Sequence, residues 1–192
     1  MTDIESTPQT TSQPPSLVRR RWPTLLGLGF ASLVAFDLVS GIDLAPVLAA
    51  SAAIYLGAAA LRRPRAAWPL FFATVVVITA ARLADDRLEP TWVVLGGAVA
   101  LGGYGLLRGA ARPGYGLPLQ TLALASFGGV LGAALLVDPE FGAYLVAAGL
   151  LGHAAWDLYH HRTNRVVTRS FAEFCLVLDT ALAVAIVIVT VL

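Results

Sequence analysis

The sequence contains no lysine, and all thirteen of its basic residues are arginine. A cofactor held as a lysine Schiff base is therefore excluded, covalent retinal included. The single cysteine, Cys175, excludes an internal disulfide and any cysteine-pair metal site. Charge of either sign is scarce, at 13% of residues against roughly a quarter in soluble domains. No phosphate loop, dinucleotide fingerprint or nucleophile elbow occurs. The net charge of +1 gives no footprint for nucleic acid.

What fills the chain instead is apolar: 57% hydrophobic residues and a mean hydropathy of +0.75. Seven runs are long enough to cross a hydrocarbon core, which takes roughly 20 helical residues. They lie at about residues 23–41, 44–61, 66–83, 90–107, 118–137, 139–159 and 171–191. Pro46, Pro69, Pro90, Pro118 and Pro139 fall in first turns, where a missing N–H costs nothing, and Asp138 is placed as an N-cap. The predicted fold is all-α, a polytopic transmembrane helix bundle of seven helices forming one domain over residues 19–192. Residues 1–18 open with Thr, Ser, Pro and Gln and little to bury, which predicts a disordered cytoplasmic tail. The first run exceeds a signal-peptide core and lacks a small-residue cleavage site, so it is read as an uncleaved anchor.

The arginines orient the bundle. Arg19 to Arg21, Arg62, Arg63, Arg65, Arg108, Arg112, Arg162, Arg165 and Arg169 occupy alternate connectors, while Arg82 and Arg87 share the other side with most of the loop carboxylates. Positive charge accumulates in cytoplasmic loops. The expectation is an N-terminus inside, a C-terminus outside, and a place in a plasma (inner) membrane. An arginine-only, Ala- and Gly-rich composition suits a bacterial genome. The lipid bilayer is the expected partner, with a second copy or another membrane protein left open. Gly128 and Gly132 form a GxxxG pair, and small residues crowd 96–105, predicting close helix contacts there.

The polar chemistry concentrates in residues 152–180, GHAAWDLYHHRTNRVVTRSFAEFCLVLDT. His153, Asp157 and His160 share one helical face by their offsets of four and three residues, and Cys175 and Asp179 share a face of the next helix. The short connector predicts antiparallel neighbours, with His153 and Asp179 facing one another at similar depth. Ionisable residues inside a membrane are costly and turn toward partners or cavities. Three readings fit this candidate cluster. His153, Asp157, His160 and Asp179 can ligate a divalent metal such as zinc, as in an intramembrane hydrolase acting on a lipid-like substrate. They can move protons or ions in a small-solute transporter. Or they are structural, in a protein with an assembly role. Near the opposite end, Asp37 and Arg82 are expected to form a structural ion pair.

The runs GHAAWDLYHH and RSFAEFCLVLD resemble a pattern in multi-pass membrane proteins of actinobacteria and related bacteria, a likeness confined to about the last fifth of the chain and implying no activity. In topology and residue types the chain is also similar to the seven-helix hydrolases that include alkaline ceramidases and adiponectin receptors. Its histidines, however, are confined to one helix end, and its last helix lacks a His-x3-His pair. That activity is not transferred.

Orientation is testable with single cysteines. Asp86→Cys should react with a membrane-impermeant maleimide on intact cells, whereas Ser12→Cys and Arg165→Cys should react only after permeabilisation. The opposite pattern would invert the topology.

Overall fold

The structure, a computed structural model, describes residues 17–36, 38–84 and 89–192. They form seven α-helices and no strand: α1 (Leu17–Ala35), α2 (Ala45–Ala60), α3 (Ala67–Ala84), α4 (Pro90–Leu107), α5 (Leu117–Leu136), α6 (Pro139–Thr163) and α7 (Arg169–Val191). Single 3₁₀ turns, Gly41–Leu44 and Pro64–Ala66, lead into α2 and α3. Most of the proposed tail (1–16), Asp37, and the loop residues Asp85, Asp86 and Arg87 lie outside the described residues.

Five segments are long and apolar enough to cross a membrane: Gly41–Ala60, Pro64–Ala84, Pro90–Leu107, Leu117–Leu136 and Arg169–Val191. The first and sixth helices fall short of that measure. α6 is diluted by the polar residues of its last third. α1 is broken at Arg21 (φ −113°, ψ 15°), so its apolar part starts close to the predicted residue 23, but it ends at Ala35 rather than near residue 41. Its apolar part, residues 22–35, spans roughly 21 Å at 1.5 Å per residue. The chain leaves the helix there to bring Gly41 against α6 and α7, where a Cβ would collide with Ile186 and come within 2.8 Å of Ala143.

Helix ends follow local chemistry. Asp138 caps α6, its Oδ1 accepting from Phe141 N–H at 3.0 Å, and Thr168 caps α7 through Phe171 N–H at 3.4 Å. Glu89 caps α4 by accepting from Thr91 N–H at 3.2 Å. α6 runs beyond its predicted end to Thr163 and stops at Asn164, whose left-handed backbone (φ 50°, ψ 45°) suits asparagine better than most residues. Residues 164–168 then turn the chain directly into α7.

α2 is the centre of the bundle. All but Val47 of its residues are buried, and α3, α4, α5 and α6 pack around it. Its alanines and Gly57 permit that approach from several sides at once. α1 lies outside, mainly against α7, where Thr24 donates to Glu173 Oε1 at 2.5 Å and Arg21 lies 3.7 Å from the same oxygen. A cluster of aromatic rings, Phe30, Trp68, Phe71, Phe171 and Phe174, fills the space between α1, α3 and α7.

Glycine packing differs from the sequence expectation. A Cβ at Gly132 meets nothing within 4 Å, and one at Gly128 reaches only Leu95 at 4.0 Å, so this pair brings no two helices together. Gly96, Gly97 and Gly103 are open as well. Within the 96–105 stretch the expected close contact is made at Gly105, where a Cβ would lie 2.7 Å from Ala60 Cβ and 2.9 Å from its Cα. Backbone cannot yield there as a side-chain tip can. Gly105→Ala should therefore destabilise the detergent-solubilised protein by about 1–3 kcal/mol, the usual cost of overpacking. Gly132→Ala should be neutral or gain up to about 1 kcal/mol from helix propensity. Parallel denaturant titrations of the two variants check this, and equal losses would contradict it.

Candidate functional site

Two turns from the end of α6, His153 and Asp157 point inward from one face, and Asp179 meets them from α7. All three side chains have zero exposure. His153 Nδ1 lies 2.9 Å from Asp179 Oδ2 and 3.4 Å from Asp157 Oδ2. One nitrogen and two carboxylate oxygens thus converge, with a ligand atom of each residue within 4.8 Å of the others.

The remaining carboxylate oxygens are held by α2. Tyr55 Oη donates to Asp157 Oδ1 at 2.5 Å, and Ser51 Oγ donates to Asp179 Oδ1 at 3.4 Å. Ser51 and Tyr55 stand four residues apart, so one face of α2 presents both hydroxyls. The phenol ring of Tyr55 also packs edge-on against His153 at 5.2 Å, and Phe127 of α5 covers the imidazole at 5.2 Å. Four helices, α2, α5, α6 and α7, close the centre. Two of its atoms, His153 Nε2 and Asp157 Oδ2, are buried with no hydrogen-bond partner.

His160 is turned to a different task. Its Nδ1 lies 2.9 Å from the Trp156 carbonyl and its Nε2 lies 3.2 Å from Gln120 Nε2. A carbonyl can only accept, so Nδ1 carries the proton, and the Nε2 lone pair accepts from the Gln120 amide. Trp156 Nε1 donates to Gln120 Oε1 at 3.2 Å, completing a neutral α5–α6 ring of bonds. The residues whose atoms converge closely enough to hold a metal ion are therefore three, and His160, grouped with them by spacing, is bonded to Gln120 instead. Cys175 is buried one turn before Asp179 and is not a member either. The expected Asp37 and Arg82 pair lies outside the described residues on the Asp37 side, and Arg82 Nη2 donates to the Asp43 carbonyl at 2.7 Å.

No protein-family model matches the chain, and no curated protein or solved structure matches it either.

Sequence reasoning overlooked Ser51, Tyr55 and Gln120, all buried. The signal was present for two of them: they are the polar side chains of an Ala-rich apolar helix, at a spacing that shares a face. Removing one donor leaves a buried acceptor unsatisfied, at a cost of about 1–3 kcal/mol. Tyr55→Phe should show that loss in denaturant titrations while keeping the ring contacts. Ser51→Ala, which removes the longer bond, should lose less, and the reverse order would contradict the assigned bonding.

Proposed function

We propose that the protein is a multi-pass integral membrane protein of a bacterial plasma membrane, N-terminus inside and C-terminus outside, in which His153, Asp157 and Asp179 bind one divalent metal ion of the zinc type. The observation that carries this reading is the convergence of His153 Nδ1 with two Oδ2 atoms while α2 hydroxyls hold both Oδ1 atoms. Ligating carboxylates in metal sites are themselves oriented by hydrogen bonds, as both are here.

Charge supports the same conclusion. Two ionised carboxylates outweigh one imidazole, even a protonated one, and an uncompensated buried charge costs several kcal/mol. A divalent cation neutralises both while the imidazole ligates as the neutral base. A purely structural polar cluster would satisfy each of its members, whereas Asp157 Oδ2, one of the three converging atoms, has no hydrogen-bond partner. Nitrogen and oxygen donors together suit zinc better than magnesium or calcium, which take oxygen.

The role supported best is structural: the ion ties α7 to α6, with α2 braced against both. Three side-chain ligands is one fewer than closed structural zinc sites have and is the number found in catalytic sites, whose fourth position stays open to water or substrate. Here every ligand is wholly buried, and the cavities of the bundle's two ends are lined by other residues. A lipid-like substrate has no route to the ion through them.

Protein prepared from metal-depleted cells in detergent should gain thermal stability on adding zinc. Asp157→Asn, which keeps volume and removes an anionic ligand, should abolish the gain, and Tyr55→Phe should shift the zinc titration by about 10- to 100-fold. Stability indifferent to zinc in the parent chain would overturn the metal reading.

A further inference from the structure

Three connectors meet at one end of the bundle, and each brings arginine. A cavity of about 310 Å³ there is lined by Arg62 and Arg63 from the α2–α3 connector, Arg112 and Tyr115 from the α4–α5 connector, and Asn164 and Arg165 from the α6–α7 connector. A second cavity of about 440 Å³ shares Arg62, Arg63 and Asn164 and adds Arg65. Neither lining contains a carboxylate. Among the described residues no Asp or Glu pairs with any of these five arginines; the one arginine ion pair is that of Arg21 with Glu173.

Two of the guanidinium groups are positioned by the protein itself. Arg165 stacks over the Tyr115 ring with its Cζ 4.5 Å from the centroid, and Arg62 Nη2 donates to the Gly109 carbonyl. Each contact fixes one part of the fork and leaves other N–H groups facing outward. A stacked or singly bonded guanidinium loses less freedom when it grips a ligand.

We propose that this cleft binds a phosphate group, either a phospholipid headgroup phosphodiester or free phosphate. Phosphate is the anion whose oxygens match planar guanidinium forks in paired bonds. No carboxylate, histidine or cysteine lines the cleft, so it offers no cation-binding set, and the single ring present is already occupied by Arg165. The volume exceeds that of several waters at roughly 30 Å³ each, so a phosphate group fits with part of its hydration. The position, at the ends of apolar segments long enough to span a bilayer, puts the cleft at headgroup level, and basic pockets between spanning helices take such headgroups. The cleft shares no residue with the buried metal centre and the proposal stands without it.

The test uses the full chain in a non-ionic detergent. Inorganic phosphate is titrated alone, and in parallel mixed micelles carry phosphatidylglycerol or, as a phosphate-free control, diacylglycerol; binding is read by native mass spectrometry. Phosphatidylglycerol retained where diacylglycerol is not assigns a headgroup, and saturable binding of inorganic phosphate assigns the free ion. In either case the double variant Arg112→Gln with Arg165→Gln should bind at least about tenfold more weakly, since charged hydrogen bonds are worth more than one decade each in affinity. Arg108→Gln, at the same end but outside the lining, should leave binding unchanged. These arginines are exposed, so the variants keep the core intact. Binding of neither probe, or equal weakening by Arg108→Gln, would overturn the proposal.

Discussion

Two carboxylates and one imidazole, wholly buried among helices, must reach electrical balance, and much of this bundle is arranged around that requirement. Asp157 and Asp179 are wholly buried, and His153 alone stands between them. The desolvation cost of such a group is recovered only with close compensation and satisfied lone pairs. Hydroxyls from α2 supply part of this. A cation bound where His153 Nδ1 and both Oδ2 atoms meet would supply the remainder, as would a proton on one of the carboxylates.

That constraint explains why α2 is both central and small-residue rich. Its hydroxyls at Ser51 and Tyr55 reach α7 and α6 only if the helix can sit among its neighbours, and alanine on its other faces allows this. Gly105 serves the same end on α4 by admitting Ala60. The short α6–α7 connector, stopped by Asn164 and restarted by Thr168, keeps Asp179 opposite His153. Packing, caps and the polar centre thus specify the same arrangement, as agreement across levels requires.

Much of this was legible in the sequence. Proline in first turns and the Asp138 cap located helix starts, and α4 occupies the predicted residues 90–107. The four-residue spacing of His153 and Asp157 gave their shared face, and the short connector gave their meeting with Asp179. Other features depend on tertiary contacts that periodicity does not encode. α1 ends at Ala35, short of the predicted residue 41, and Gly41 packs directly against α6 and α7. His160 has the right spacing to join the centre, yet Gln120 from a distant helix takes its lone pair. Gly128 and Gly132 have the spacing of a contact motif but face outward from the helices described.

Whether His153, Asp157 and Asp179 hold a metal ion decides the proposed role of the centre. X-ray absorption at the zinc edge, on protein purified without added chelator, reads it most directly. The account predicts a bound metal with nitrogen and oxygen neighbours at about 2.0–2.2 Å and no sulfur at about 2.3 Å, because Cys175 lies outside the ligand group. No bound metal, or a sulfur shell, would contradict it.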